Sequence, residues 1–190
     1  MKNYKYYIGI DEVGRGALAG PITAVAVLSD SLKKIFKGPI KDSKKLSEKR
    51  REELFKILDE KFVWGLGQVS EKMIDQIGIE KANFLVMEKA VNNLLKKKEI
   101  DLKETLLLID GNRMNSYKLL TTNYKLIVKG DEKISLIASA SILAKVSRDN
   151  LMKQFHQEQP SYYWCDNKGY GTKAHFEMIE KYGLSEHHRN

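Results

Sequence analysis

The sequence predicts an α/β fold with a helical C-terminal part. Five short segments rich in β-branched, aromatic or leucine residues are typical of strands, and segments with apolar residues at helical spacing lie between and after them. The chain has 190 residues, of which 42% are hydrophobic. That length and composition suit one domain with a substantial core and exclude a disordered or fibrous protein.

The predicted strands end at turn residues. The segment 105–109 carries no charge, as expected of a strand buried on both faces, and it ends at Asp110-Gly111. The last strand ends near Gly130-Asp131. Glycine and aspartate at such points are typical of tight turns. Strands are predicted over residues 4–10, 22–28, 63–69, 105–109 and 124–128.

Serine residues mark the starts of two predicted helices. Ser47 and Ser70 precede segments with periodic apolar residues, and a serine hydroxyl there accepts a hydrogen bond from the first helical turn. Gly78 is expected to interrupt the second segment. Residues 42–47 and 159–172 are predicted to be loops. Helices are predicted over residues 47–62, 70–97, 136–155 and 174–181, and the helical C-terminal part spans roughly 136–190.

The net charge favours a polyanionic partner. Lysine and arginine total 33 against 25 acidic residues, which gives +8 at pH 7. Nucleic acid or an anionic membrane surface would suit this charge, and a lysine-rich protein without such a partner is the alternative. The longest apolar run, 22–28, is far shorter than the ~20 residues of a membrane span, and charged residues interrupt any signal-peptide core. We therefore expect a cytoplasmic protein with a nucleic-acid partner and no membrane contact.

Cysteine and histidine offer little for metal binding. The single Cys165 excludes an internal disulfide and a cysteine-based zinc site, and it fits a reducing compartment. A zinc site at His187-His188 is only weakly indicated. We expect these histidines to lie on the surface.

Four acidic residues stand at the ends of predicted strands or in the turns that follow, namely Asp11, Glu12, Asp110 and Asp131. Each alone is more often a turn or cap residue, but an acid beside a buried strand is costly unless it is paired, solvated or metal-bound. Ligands of open α/β sheets bind beyond the carboxyl ends of the strands. Clustered carboxylates suit Mg²⁺ or Mn²⁺, and two such ions about 3.5–4 Å apart can hold the attacking and leaving oxygens of a phosphodiester.

A turn is expected where the first strand meets these acids. Adjacent strand residues point to opposite faces, so a regular strand would separate Asp11 from Glu12. Gly14-Arg15-Gly16 follows, with glycines that let a ligand approach the backbone and an arginine suited to phosphate. An ordinary strand-to-strand turn with a surface arginine is the alternative.

Six cationic residues lie between positions 41 and 51. Lys44 and Lys45, in a predicted loop, are candidates for phosphate contact. Lys49, Arg50 and Arg51 are expected to form a solvated helix face.

Six short blocks in a fixed order carry a resemblance to a known family. They are Gly-Ile-Asp-Glu-Val-Gly-Arg-Gly at 9–16, Asp-Ser-Lys-Lys-Leu at 42–46, Ile-Asp-Gly at 109–111, Lys-Gly-Asp at 129–131, Ala-Ser-Ile-Leu-Ala-Lys-Val-Ser-Arg-Asp at 140–149 and Gly-Tyr-Gly-Thr-Lys-Ala-His at 169–175. With these blocks the chain resembles bacterial ribonuclease HII, a type 2 ribonuclease H, from Ile8 almost to its last residue.

The resemblance implies an RNase H-like fold, with a central mixed β-sheet flanked by helices and residues 1–190 forming one catalytic domain. It implies an endoribonuclease that hydrolyses the RNA strand of RNA/DNA hybrids and incises on the 5′ side of single ribonucleotides embedded in duplex DNA. The products would carry 3′-hydroxyl and 5′-phosphate ends. The implied roles are ribonucleotide removal and RNA primer removal, the implied cofactor is Mg²⁺ or Mn²⁺, and a monomer is expected.

The resemblance also implies a set of catalytic, metal-binding carboxylates. By position they are Asp11, Glu12, Asp110 and Asp131. The resulting hypothesis is a two-ion hydrolysis. One ion among Asp11, Asp110 and Asp131 would orient and deprotonate a water, and a second, with Glu12 and Asp11, would stabilise the departing 3′-oxygen.

Substrate contacts are implied in the same way. Gly14, Arg15 and Gly16 match the family loop that senses the 2′-hydroxyl, the group that distinguishes RNA from DNA, and grips the adjacent phosphate. Tyr170 matches the tyrosine that packs beside the sugar at the RNA–DNA junction. The phosphate-contacting block corresponds to Lys44 and Lys45. Asp149, on a predicted helix, is interpreted as structural.

Two other functions compete with this one. A hybrid-binding module without catalysis is disfavoured by the four acids, and a junction resolvase of the same superfold by the Gly14–Gly16 loop together with Tyr170. Arg15 and the start of the sequence favour ribonuclease HII over its sister ribonuclease HIII. The sequence stops slightly short of the usual family end and shows no glutamine-led aromatic clamp-binding motif, which weakens the case for a partner-binding tail.

Overall fold

A computed structural model describes residues 4–31, 46–112 and 123–190. Its strands are β1 (Tyr6–Val13), β2 (Ile22–Ser29), β3 (Trp64–Val69), β4 (Thr105–Asp110) and β5 (Tyr124–Ile127). They form one sheet in the order β3-β2-β1-β4-β5. β2 is antiparallel to β1 and β3, whereas β4 is parallel to β1 and β5. The predicted mixed sheet is confirmed.

The helices occupy most of the remaining described chain. They are α1 (Glu48–Lys61), α2 (Glu71–Ile77), α3 (Ile79–Lys97), α4 (Gly130–Lys133), α5 (Ser135–Glu158), α6 (Trp164–Asn167) and α7 (Lys173–Tyr182). Ser47 and Ser70 cap α1 and α2 as predicted, each accepting a hydrogen bond from a first-turn N–H. Gly78, with a positive φ of 80°, separates α2 from α3.

The predicted loop over 159–172 is wrong in part. A 3₁₀ turn spans Pro160–Tyr162, and the single-turn helix α6 follows it. Burial of the Trp164 indole fixes this turn, because that side chain is fully buried against α5. One helical turn has no apolar periodicity for sequence reasoning to detect.

Helices cover both faces of the sheet. Ile8 and Ile10 of β1 pack with apolar residues of α3, whereas Tyr7 packs with residues of α1 and α5 on the other face. This alternation follows from the two-residue period of a strand. The sheet is therefore buried on both sides along β1, which carries the first two predicted site residues at its carboxyl end.

Glycines in β3 allow α3 to lie directly on the strand. A Cβ at Gly65 would stand 2.2 Å from the Ala90 carbonyl oxygen, and a Cβ at Gly67 would stand 2.1 Å from the Val86 carbonyl oxygen. Both contacts are to helix backbone, which cannot rotate away as a side chain can. The helix and strand thus approach more closely than side chains would permit.

The prediction of a surface position is wrong for His188. Its side chain is buried, as is that of His175, and the Nε2 atoms of the two rings lie 3.1 Å apart. Trp164 Nε1–H donates to His175 Nε2, and the Ser185 N–H donates to His188 Nδ1. Since His175 Nδ1 faces the Tyr170 carbonyl at 2.9 Å, the pattern fits two neutral rings, with His188 Nε2–H donating to His175.

Burial has an electrostatic effect on this histidine pair. It lowers the pKa of His188 to about 4, with His175 adding to the shift, and it lowers the pKa of His175 as well. The two residues therefore serve as neutral core groups of the C-terminal part. In the described part of the chain they join no group of three side chains that could hold a metal ion.

None of the helices in the described ranges is long and apolar enough to cross a membrane.

We predict that Gly67→Ala lowers the free energy of unfolding by about 2–3 kcal/mol, because the new methyl group forces α3 away from β3. Urea denaturation would measure this loss. Gln68→Ala is the matched control, since Gln68 is exposed on the same strand. Equal stability of the two variants would show that the close approach of α3 to β3 contributes nothing.

Candidate active site

Seven of the ten predicted site residues meet at the carboxyl ends of β1 and β4. A cavity of about 470 Å³ opens there. In the sheet β1 lies between β2, the next strand along the chain, and β4, so the strand order reverses at this point. Such a reversal of strand order is the usual ligand position in α/β sheets. We call it the acidic cavity, and its lining consists of Asp11, Glu12, Val13, Gly14, Arg15, Gly16, Arg51, Asp110, Ser141, Ile142, Lys145 and Tyr170.

The expected turn at Asp11 and Glu12 is wrong. Both residues continue β1 and pair in regular register with Val25 and Ala24 of β2. On its other side, however, β1 pairs with β4 only as far as Ile10. Beyond that residue no strand in the described ranges pairs with this edge of β1, and side chains from both faces of the strand border the same cavity.

Asp110 is the third acid on the cavity, and the fourth lies behind it. Asp110 ends β4, and its Oδ1 accepts the Gly130 N–H at 2.6 Å. Asp131 follows Gly130 in α4, where it is buried and does not line the cavity. The turn predicted at Asp131 is thus a short helix. Three of the four acids line the cavity, and the fourth, Asp131, is the residue after Gly130, which bonds to Asp110.

Asp11 carries the main electrostatic strain of the site. Its pKa is raised well above the ordinary value, first by burial and then by the neighbouring carboxylates of Glu12 and Asp110. A hydrogen bond from Ser141 and one from the Glu12 N–H act in the opposite direction. A buried carboxylate beside two others favours either a proton or a cation.

The donor chemistry of the cavity fits a hard divalent cation. Its acidic lining supplies only carboxylate oxygens, the ligands that Mg²⁺ and Mn²⁺ prefer. Within the described ranges, no three acidic, histidine or cysteine side chains are yet drawn together tightly enough to enclose an ion. The carboxylates border one space without converging on one point.

The loop after β1, residues 14–21, is shaped by its first glycine. Gly14 has φ 87°, and a Cβ there would stand 2.2 Å from Nε of Arg148. Its N–H donates to the Tyr170 hydroxyl at 3.2 Å. This bond joins the glycine loop, as we call residues 14–21, to the C-terminal part. Tyr170 therefore lies beside the loop.

The Arg148 guanidinium is fully buried below this loop. It donates to the carbonyl oxygens of Pro21, Lys168 and Ala19 at 2.9, 2.8 and 3.0 Å. It also lies 5.4 Å from the centre of the Tyr170 ring. Burial lowers the pKa of Arg148, and the three carbonyls compensate for the lost water.

The remaining predicted substrate contacts divide into two groups. Arg15 and Gly16 are exposed and line the acidic cavity, in the position that contact with a ligand requires. Lys44 and Lys45 lie outside the described residues.

Sequence reasoning missed three polar residues of the cavity. The solvated position predicted for Arg51 is wrong, because Arg51 lines the cavity and donates to the Leu46 carbonyl, whereas Lys49 and Arg50 are exposed. A signal for this position exists, since Arg51 stands three residues before buried Leu54 on the same face of α1. The other two are Ser141 and Lys145 of α5.

Lys145 reaches the cavity from a salt bridge. Its Nζ lies 2.7 Å from Oδ1 of the buried Asp149, one helical turn further along α5. This pairing agrees with the structural interpretation of Asp149. The spacing of Ser141, Lys145 and Asp149 at intervals of four is the sequence signal for a shared helix face.

Comparisons with known proteins agree on one family. The ribonuclease HII family model matches residues 8–190. The ribonuclease HII of Pelagibacter ubique is 44% identical over 187 residues, which cover 97% of this chain and 94% of that protein.

Solved structures show the same fold. In the PCNA:RNase HII complex from Archaeoglobus fulgidus, the matching chain has a TM-score of 0.73 and 23% identity, covering 96% of this chain and 93% of that chain. Bst-RNase HIII in complex with Mn²⁺ has a TM-score of 0.73 at 18% identity, covering 96% of this chain and 64% of that chain. The RNase H-like fold is thereby confirmed.

We predict that Asp11→Asn stabilises the protein in a metal-free buffer at pH 8. The folded-state pKa of Asp11 is raised, so the wild type loses stability as pH rises through that value, and the uncharged variant does not. The gain should appear as a higher unfolding midpoint at pH 8 and should vanish near pH 4, where both side chains are uncharged.

Thermal unfolding with a chelator at pH 4, 6 and 8 would measure this difference. Glu60→Gln removes one negative charge from an exposed position on α1 and should show no such pH dependence. A variant less stable than the wild type at pH 8 would contradict the assigned strain.

Proposed function

The chain belongs to the ribonuclease HII family, and on that basis we propose that it incises duplex DNA on the 5′ side of single embedded ribonucleotides. Family membership makes it a ribonuclease H, a metal-dependent hydrolase of phosphodiester bonds that acts on RNA/DNA substrates. The proposal adds the position of the cut, the products and the residues that carry the reaction. It also treats residues 1–190 as one catalytic domain, active as a monomer.

One observation carries the proposal. A single cavity joins the carboxylates of Asp11, Glu12 and Asp110 to the glycine loop and to Tyr170. A nuclease that distinguishes ribose from deoxyribose needs its cleavage groups beside a group that contacts the 2′-hydroxyl. Here Asp11 and Glu12 lie in β1 just before Gly14, whose N–H donates to the Tyr170 hydroxyl, so both kinds of group border the same cavity.

The carboxylates would hold the metal ions on which the chemical step depends. Asp11, Glu12 and Asp110, with Asp131 behind Asp110, would hold Mg²⁺ or Mn²⁺, which supplies an activated water and stabilises the charge of the leaving oxygen. Hydrolysis forms a bond from the water oxygen to phosphorus and breaks the bond from phosphorus to the 3′-oxygen. One proton of the water ends on that 3′-oxygen. The ends are then a 3′-hydroxyl and a 5′-phosphate.

Other residues bind and orient the substrate. Arg15 is exposed at the cavity, and its planar guanidinium suits a phosphate. Gly16 leaves open space where a Cβ would stand, so a sugar-phosphate backbone can approach the peptide closely. Tyr170 would pack against the sugar, supported from below by Arg148. We propose Lys44 and Lys45 as further phosphate contacts.

The net charge of +8 fits this assignment. Nucleic acid is attracted over a large surface, whereas the carboxylates repel it locally until a cation is bound. The acidic cavity thereby makes productive binding depend on the metal. Arg15, Arg51 and Lys145 place positive charge around the same cavity.

We predict that Asp110→Asn keeps the fold and loses cleavage by about 100-fold or more, because outer-shell groups of a metal site are already worth about 10- to 100-fold. The amide oxygen of the replacement side chain can still accept the Gly130 N–H, so the local structure is retained. A gel assay would use labelled duplex DNA with one ribonucleotide, in Mg²⁺, in Mn²⁺ or with chelator.

The expected wild-type product is a metal-dependent nick on the 5′ side of the ribonucleotide, absent from an all-DNA duplex. Full activity of Asp110→Asn would defeat the carboxylate assignment. Tight hybrid binding without a nick would instead favour a binding module, and a preference for four-way junctions would favour a resolvase.

We also predict that Arg15→Ala and Tyr170→Phe each slow cleavage at a single ribonucleotide by about tenfold, the effect of losing roughly 1.4 kcal/mol of binding. Tyr170→Phe removes the acceptor of the Gly14 N–H. Tyr182→Phe, on an exposed ring of α7, is the control. Unchanged single-turnover rates for both variants would remove Arg15 and Tyr170 from the site.

A further inference from the structure

The last residues of the sequence lie against the glycine loop. We call residues 184–190 the terminal segment. His188 forms a β-bridge with Ala19, and the Arg189 N–H donates to the Leu18 carbonyl at 2.8 Å. In the opposite direction, the Gly20 N–H donates to the His187 carbonyl at 2.8 Å. The terminal segment thus pairs with the loop through its backbone.

The Arg189 side chain adds contacts to two carbonyls of the loop. Nε and Nη2 donate to the Gly20 oxygen at 2.9 and 2.7 Å, and Nη1 donates to the Arg15 oxygen at 3.1 Å. One planar guanidinium therefore bridges Gly20 and Arg15, and Arg15 borders the acidic cavity. Burial and the nearby Arg148 lower the pKa of Arg189 to about 10, so it remains charged at neutral pH.

The terminal segment is held from the side opposite the loop. His188 is buried and bonded to Ser185 and His175. The Asn190 N–H donates to Asp75 Oδ1 at 2.9 Å. Arg189, between these two fixed neighbours, is therefore placed by the fold before any substrate binds.

The bond to the Arg15 carbonyl has a consequence for the next residue. The Arg15 C=O and the Gly16 N–H belong to one planar trans peptide, in which they point in opposite directions. A donor that fixes the carbonyl also fixes the direction of the N–H. Gly16 is exposed and lines the acidic cavity, so this N–H belongs to the backbone that a substrate meets.

We propose that Arg189 is a positioning residue that holds the Arg15–Gly16 peptide in the orientation that binds the ribonucleotide. The proposal rests on the function proposed above and assigns a role in it to the terminal segment. A glycine-flanked peptide is otherwise free to rotate, because glycine has no Cβ to restrict it. Arg189 would act on substrate affinity through the loop, without contact with the reacting phosphate.

The test compares Arg189→Ala, Arg189→Lys and the control Arg50→Ala. Arg50 is an exposed arginine whose guanidinium pairs with Glu53, and its removal changes the net charge equally. Steady-state cleavage of duplex DNA with one ribonucleotide gives KM and kcat. Hydrogen exchange, read by mass spectrometry over residues 14–20, reports the loop without any need for activity.

For Arg189→Ala we expect faster hydrogen exchange in the loop and a rise in KM of about tenfold. The value of kcat should stay within about twofold of the wild type, because the lost interaction binds the substrate and the transition state equally. Millimolar guanidinium should lower that KM, compared with an equal concentration of KCl. Arg189→Lys should fall between, since an ammonium group lacks the fork that spans both carbonyls. Arg50→Ala should match the wild type in both measurements.

Unchanged loop exchange in Arg189→Ala would overturn the proposal, and so would faster exchange with an unchanged KM or a loss confined to kcat. A wild type that never nicks the substrate, combined with faster loop exchange in the variant, would refute the proposed function while leaving the structural role of Arg189 in place. Thermal unfolding of each variant separates a local change in the loop from global loss of the fold.

Discussion

The buried guanidinium of Arg148 holds together the parts of the chain that form the site. It projects from α5 and donates to carbonyls at Ala19, Pro21 and Lys168, which belong to two chain segments far apart in sequence. Without these bonds a buried charge and three carbonyls would lose their partners together, at a cost far above that of one ordinary hydrogen bond. Only the conformation that satisfies all of them is stable, so the glycine loop and the C-terminal part are fixed relative to α5.

Several sequence features make sense once this constraint is recognised. Gly14 and Gly169 lie close to the buried arginine or to the loop backbone, and a Cβ at either position would overlap Arg148 or the Ala19 carbonyl. Tyr170 lies over the guanidinium and accepts the Gly14 N–H. The groups that would recognise a ribonucleotide are therefore held by the core, and they do not rely on the flexibility of a surface loop for their geometry.

The carboxylates show the opposite arrangement, in which burial beside like charges reduces stability at the site proposed for the reaction. Asp11 is buried beside Glu12 and Asp110, although the chain as a whole is strongly basic. The fold tolerates this because β1 continues beyond its pairing with β4, so that the acids border a cavity that a cation can enter. The rest of β1 lies in a sheet covered on both faces, so the strain stays local.

Local sequence patterns were enough to predict the five strands, the longer helices, their order along the chain and the family to which it belongs. Strand alternation, the caps Ser47 and Ser70 and the break at Gly78 act over a few residues, so short windows of sequence contain them. The acids and Tyr170 are recognisable in the same way, through short blocks with a fixed spacing.

Tertiary packing alone determined which of these groups meet. The short helix α6, the burial of His188, the place of Arg51 in the cavity and the contact of Arg189 with Arg15 all depend on pairs distant in sequence. The continuation of β1 through its two acids is a similar case, because how far β1 extends beyond its pairing depends on the length of the neighbouring strand β4. Local propensity carries no information about a neighbour that packing supplies, and for that reason the sequence predicted the parts of the site but not the contacts that orient them.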